Sequence, residues 1–184
     1  KKLSSEYRSE LENREKSIYA HAGKIFNINS PAQLGTVLFE DLHLAQKRQK
    51  KTATGKLSTK ESELEKLRDS HPIIDAILAY RELAKLLSTY VDALPKLVAD
   101  DGRLHTEFLQ TGTTTGRMAS QNPNMQNIPI RSEYGRRIRN AFVATPGYTL
   151  VALDYSQIEL RIAAGLSGDE KLIDIFKKGG DVHQ

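Results

Sequence analysis

The chain contains no cysteine in 184 residues. Disulfide staples and thiolate ligands are therefore excluded, and the composition is compatible with a reducing compartment. No apolar run approaches the roughly 20 residues needed to span a bilayer. The opening residues, Lys1-Lys2-Leu3-Ser4-Ser5, have no apolar core of the kind a signal peptide carries. The expectation is a soluble, cytoplasmic protein with no membrane partner. Internal repeats and low-complexity tracts are also absent. His21, His43, His71 and His105 lack metal-ligand spacing and read as structural.

The residues that are there suit a folded domain, with 39% hydrophobic and 27% charged. This length can make one ordinary domain or two small ones. A net charge of +4 is too mild to identify a partner, so its distribution matters more than its total. Lys47, Arg48, Lys50, Lys51, Lys56 and Lys60 follow one another with no acid between them, interleaved with Thr52, Ala53, Thr54 and Gly55. That stretch reads as a flexible basic loop over about 45–60. Taken alone it is a solvated linker.

The first block, residues 1–99, has helical periodicity. Leu3, Tyr7, Leu11 and Ile18 share one face of a helix expected to end near Gly23. Ser30, Pro31 and Gln33 offer a cap, a first-turn proline and a capping box, and Leu34, Val37, Leu38 and Leu42 supply the stripe that follows. Residues 58–61 offer a second capping box ahead of Leu64 and Leu67. His71-Pro72 opens what reads as the longest helix, with Ile73, Ile77, Ala84, Leu87, Val91 and Leu94 on its packing side, and Pro95 ends or bends it. Arg81, Lys85 and Ser88 line another side. They are either a solvated face or a row of phosphate contacts, since cations one turn apart can follow a nucleic-acid backbone.

The second block, residues 100–184, changes character. Residues 103–108 alternate weakly, as a short strand would, and a Thr-rich stretch follows over 111–115. Residues 120–130 are rich in Asn, Gln and Pro and should form a long loop. Residues 148–153 read as a β-run ending at Asp154, and helical periodicity returns through Ile158, Leu160, Ile162 and Leu166, then from Leu172 to Phe176. A carboxylate just past a strand end is held where it can bind a hard cation such as Mg²⁺. By itself, Asp154 is equally a turn aspartate.

The residues after it decide between these. Asp154-Tyr155-Ser156-Gln157-Ile158-Glu159-Leu160-Arg161 resembles the A motif of family A DNA polymerases. Thr115-Gly116-Arg117 and the run from Pro123-Asn124-Met125-Gln126-Asn127 to Ile130-Arg131 are similar to the palm segments that precede that motif, in the same order. Residues 26–40 and the helix around residues 80–86 resemble the family's thumb. Departures are small: Met118, Asn122 and Gly165 stand where Leu, Asp and His are more usual.

The resemblance implies an α+β, predominantly helical fold, with a helical thumb (1–99) followed by part of an antiparallel palm sheet (100–184). It implies a DNA-directed DNA polymerase, in which a primer 3′-hydroxyl attacks an incoming deoxyribonucleoside triphosphate with two Mg²⁺ ions as cofactors. Asp154 would be the catalytic carboxylate and a metal ligand, and the carbonyl of Tyr155 a further ligand. Glu159 would select the sugar. Arg131, Gln157, Ile158, Glu159 and His183 would meet the nucleotide. Arg117, Asn124, Gln126, Asn127, Arg81, Lys85, Lys47, Lys50 and Lys51 would contact primer-template DNA without reading its sequence. Arg136, Arg137 and Arg139 are left open between DNA contact and a solvated turn. The second palm carboxylate and the nucleotide-binding lysine and tyrosine of the fingers lie beyond this stretch of the family pattern. The chain alone is therefore expected to be inactive, and the parent to be a monomer. A noncatalytic DNA-binding relative is the alternative.

Overall fold

The computed structural model describes residues 2–45, 49–53, 55–130 and 132–182. Lys47, Arg131 and His183, together with Arg48, lie outside the described residues. The chain divides into two compact units, one ending at Phe142 and one beginning at Val143. This division falls later in the chain than the 99/100 boundary read from the sequence, because residues 119–142 are bonded to the helical block. Tyr7 donates to the carbonyl of Tyr134 at 2.6 Å, and the Tyr90 hydroxyl donates to that of Asn127.

In the first unit, α1 (Lys2–Ala22) runs along α4 (Pro72–Leu86). At 21 residues, α1 is longer than α4 at 15, although a π-helical turn (Leu87–Val91) extends α4. Helices begin where local chemistry says they should. The Ser30 hydroxyl accepts from the Gln33 amide at the start of α2 (Pro31–Gly35), and His71 Nδ1 accepts from the Ile73 amide at 3.1 Å at the start of α4. The expected capping box at Ser30 is incomplete, since the Gln33 side chain accepts instead from the Asn27 amide at 2.8 Å. The second one does not form either. Lys60 is the N-cap of α3 (Glu61–Leu64) and makes no side-chain cap, while the Ser58 hydroxyl accepts from the Lys60 amide.

Two apolar clusters fill this unit. Ile18, Leu34, Leu38, Leu64, Ile73 and Ile77 belong to the first, and Tyr7, Leu83, Leu86, Tyr90 and Ile138 to the second. Burying each such side chain contributes roughly 1.5–3 kcal/mol, and the stripe of α4 serves both clusters. Strands β1 (Glu107–Leu109) and β2 (Ala119–Gln121) pair antiparallel, with Phe108 opposite Ser120. The short helix α5 (Glu133–Arg139) is capped by Ser132, whose hydroxyl accepts from the Gly135 amide. Gly135 sits directly against Pro129: a β-carbon placed there would lie 2.7 Å from the Pro129 Cβ and 2.9 Å from its carbonyl oxygen.

Among its described residues the basic stretch is paired rather than loose. Lys51 and Leu57 form an antiparallel bridge, the Ser58 amide donates to the Lys50 carbonyl at 2.8 Å, and the Thr52 amide donates to that of Lys56 at 2.7 Å. Residues 50–52 and 56–58 thus make a small hairpin.

The second unit contains α6 (Ile158–Ser167) and α7 (Glu170–Lys177), which pack together. Asp169 caps α7 through the Leu172 amide at 2.9 Å. The expected strand over 148–153 does not form, and Asp154 is not at a sheet edge. A strand needs a hydrogen-bonding neighbour, and the described residues give this run none. Its apolar side chains stand in solvent, with Val151 76% and Leu153 94% exposed. Overall the chain is α+β and predominantly helical, with one two-stranded antiparallel sheet among the described residues.

Candidate functional site

In the second unit the acidic motif is organised around a single bend. Asp154 and Tyr155 are exposed on a segment without regular secondary structure, and Gln157 turns the chain into α6 with φ 54° and ψ 39°, in the left-handed region. Non-glycine residues rarely adopt this conformation, so the turn must be held by its surroundings. Arg161 supplies one hold. Its Nε donates to the Ser156 carbonyl at 2.8 Å, and its guanidinium lies over the Phe176 ring, 4.6 Å from the centroid. The bend places Ile158 and Glu159 in the first turn of α6, where a carboxylate also meets the positive end of the helix dipole. The Gln157 Oε1 is buried and finds no hydrogen-bond partner among the described residues.

The donors on offer for a cation are the Asp154 carboxylate and the neighbouring Tyr155 carbonyl. Both are hard oxygen ligands of the kind Mg²⁺ takes. Among the described residues no group of three or more His, Cys, Asp or Glu side chains converges to complete a metal site. The chain therefore fits such a cation in part only.

In the first unit, four of the residues read as DNA contacts line one groove of about 480 Å³: Arg81 and Lys85 from α4, with Asn124 and Asn127 from the loop that faces it. Glu61, Glu82 and Thr89 also line it, and nothing in their local sequence singles them out. The facing loop is built on Ser120. Its buried hydroxyl accepts from the Met125 and Gln126 amides at 3.1 and 3.3 Å and lies 3.1 Å from the Asn124 Oδ1. Tyr90 fixes the far end of this loop through the Asn127 carbonyl, and burial pushes the Tyr90 hydroxyl pKa up.

Three of the expected contacts have internal work to do. Arg81 donates to the Thr59 carbonyl at 2.5 Å, and burial lowers its pKa while the Glu61 carboxylate opposes that shift. The Gln126 side-chain Nε2 donates to the Met118 carbonyl at 3.2 Å. Arg117 is exposed, and its carbonyl accepts from the Thr113 hydroxyl at 2.7 Å. Lys50 and Lys51 lie exposed on the basic hairpin, and neither lines the groove. Of the three arginines with two readings, Arg137 is paired with Glu6 of α1, an interaction that raises its pKa and lowers that of the acid. No local sequence signal marks the Tyr90–Asn127 or Arg137–Glu6 links, because their partners are far apart in the chain.

No helix among the described residues is long and apolar enough to cross a membrane. The family model for DNA polymerase family A matches residues 1–184. The chain is 55% identical over 184 residues to the thermostable DNA polymerase I of Thermus caldophilus, covering 98% of this chain and 22% of that protein. It is 53% identical over 182 residues to DNA polymerase I of Synechocystis sp., again over 98% of this chain but 18% of the relative. Among solved structures, the polymerase domain of Pol1 from M. smegmatis, in complex with DNA primer-template and dNTP, superposes with a TM-score of 0.87 at 45% identity. That match covers 99% of this chain and 32% of the other. The chain thus spans about a fifth of the length of the curated relatives it matches. With a family model matched along its whole length and relatives above half identity, the chain belongs to DNA polymerase family A.

Proposed function

We propose that this chain is the thumb and the first part of the palm of a DNA-directed DNA polymerase, acting within a protein of its relatives' length. The observation that carries the reading is the left-handed bend at Gln157, which sets Asp154 on one side and Glu159 on the other within a motif matched by the family. On this reading residues 1–99 are the thumb and 100–184 the partial palm, the two compact units being a division by packing rather than by role. The Pol1 structure from M. smegmatis holds primer-template and dNTP, which supports the same partners here.

Asp154 and the Tyr155 carbonyl would contribute oxygens to a bound Mg²⁺, which supplies Lewis-acid stabilisation of the reacting phosphate; the remaining ligands belong to the rest of the protein. The chain's own residues orient the substrates. Glu159, at the opening of α6, limits the space beside the incoming sugar. The unpartnered Gln157 Oε1 favours a polar ligand nearby, and Ile158 offers an apolar surface in the same first turn. Arg131 and His183, by motif position, meet the triphosphate. Lys85, Arg81, Asn124 and Asn127 in the groove, together with Arg117 and Gln126 and with Lys47, Lys50 and Lys51 of the basic segment, hold the duplex through its backbone and minor-groove acceptors. A cytoplasmic monomer is the proposed working form.

Primer extension tests this. The full-length protein should add deoxyribonucleotides to a primed template in Mg²⁺, and the 184-residue chain run beside it should not. A full-length protein that binds primer-template but extends nothing would favour the noncatalytic reading.

A further inference from the structure

The hairpin that carries Lys50 and Lys51 is braced at its base by side-chain hydrogen bonds to both of its strands. On one strand the Lys50 amide donates to Glu63 Oε2 at 3.0 Å. On the other, the Thr59 carbonyl receives Arg81, and the Gln49 side chain donates to the Ser58 carbonyl at 3.2 Å. The Glu63 side chain is 3% exposed, and its second oxygen takes the Lys66 ammonium at 2.6 Å. Withdrawing a carboxylate from water is costly unless it is both paired and hydrogen-bonded, and Glu63 is both. An apolar side chain could fill the same place in α3. What it could not do is hold a backbone amide on the strand of the two lysines.

We propose that Glu63 is a positioning residue for DNA binding: by holding the Lys50 amide, it keeps the hairpin as a preformed cationic platform for backbone phosphates. Preorganisation raises affinity by removing the ordering cost from the binding step. Arg81 serves the same end from α4, through Thr59. The inference rests on the reading of this hairpin as a DNA contact.

The test is the affinity of the full-length protein for a primer-template duplex, measured across a salt series. Wild type is compared with Glu63→Ala, with Glu63→Gln, with the double variant Lys50→Ala/Lys51→Ala, and with the triple variant that adds Glu63→Ala to it. The lysine pair should flatten the slope of log affinity against log salt by about 0.9 for each phosphate no longer neutralised. Glu63→Ala should flatten it toward the same value with every lysine still present, and the triple variant should fall no further than the lysine pair, because the two changes remove one interaction. Glu63→Gln, which keeps an acceptor for the Lys50 amide, should stay near wild type. A wild-type slope in Glu63→Ala, or strictly additive losses, overturns the proposal while leaving the hairpin's role in DNA binding intact. An unchanged slope in the lysine pair overturns both. Trypsin applied to the wild-type protein gives a reading that does not depend on any variant folding. The bonds after Lys50 and Lys51 should resist cleavage, and cutting as fast as in an unfolded peptide would show that no brace exists.

Discussion

The hydroxyl of Tyr7 donates to the backbone carbonyl of Tyr134 at 2.6 Å, and the two rings meet edge to face with centroids 5.2 Å apart. The first helix thereby holds a segment distant in the chain, and the hold is reinforced by Arg14, which donates to the Tyr134 hydroxyl at 3.1 Å, and by the Arg137–Glu6 pair. Tyr7→Phe keeps the ring contact and removes only the hydroxyl, leaving the carbonyl without its donor. The expected loss is about 1–3 kcal/mol of unfolding free energy in denaturant titration. No loss would mean that the carbonyl finds water instead.

Asp154→Ala in the full-length protein should abolish incorporation and leave primer-template affinity close to wild type, because the groove and the basic hairpin belong to the first unit. Asp154 is exposed, so its removal should also leave the melting temperature unmoved. A variant retaining a tenth or so of the wild-type rate would contradict a role in the transition state, since that is only about 1.4 kcal/mol.

Glu159→Ala should raise ribonucleotide incorporation by orders of magnitude relative to deoxyribonucleotide. A 2′-hydroxyl is the one group that separates the two sugars, and a steric clash excludes by more than a missing attraction does. If Glu159 only stabilises the start of α6, the ratio of the two kcat/KM values stays put and about 1 kcal/mol of helix stability disappears. Single-nucleotide insertion kinetics distinguish these outcomes.

Lys66 and the Lys50 amide hold the Glu63 carboxyl below its ordinary pKa. A group depressed in the folded state adds stability that is complete above its unfolded value and is lost as pH falls through the folded one. Wild type should therefore be more stable than Glu63→Gln at neutral pH. The difference should shrink as the solution is acidified through and below the ordinary glutamate range. Thermal melts of both proteins at a series of pH values check this, and a constant difference would refute it.

Much of the helical framework is legible in the sequence because its signals are local. Ser30 before Pro31 and His71 before Pro72 mark helix starts through bonds that reach only two or three residues ahead, and the stripe from Ile73 to Leu94 reports its own burial. The eight residues from Asp154 to Arg161 point to the family directly. What sequence does not deliver depends on partners elsewhere. The run at 148–153 has strand composition, yet pairing makes a strand, and the described residues supply no neighbour. Gln126 and Arg81 have the donors of DNA-binding residues, but the Met118 and Thr59 carbonyls that engage them are visible only in three dimensions. The basic stretch has the Thr, Gly and Lys content of a flexible loop, but the Lys51–Leu57 bridge and the bond from the Lys50 amide to Glu63 are pairings that composition does not report.

Gly135 carries no chemistry and lies within a helix, yet it leaves no room for a β-carbon against Pro129. Any other residue there must push residues 129–130 away from α5, and the displaced backbone leads straight to the loop that presents Asn124 and Asn127. In a saturation library selected for polymerase activity, Gly135 would therefore read as closed to substitution as Asp154 is, but for a different reason. A selection for folding alone would already reject its variants, whereas those at Asp154 would pass it and fail only when asked to copy DNA.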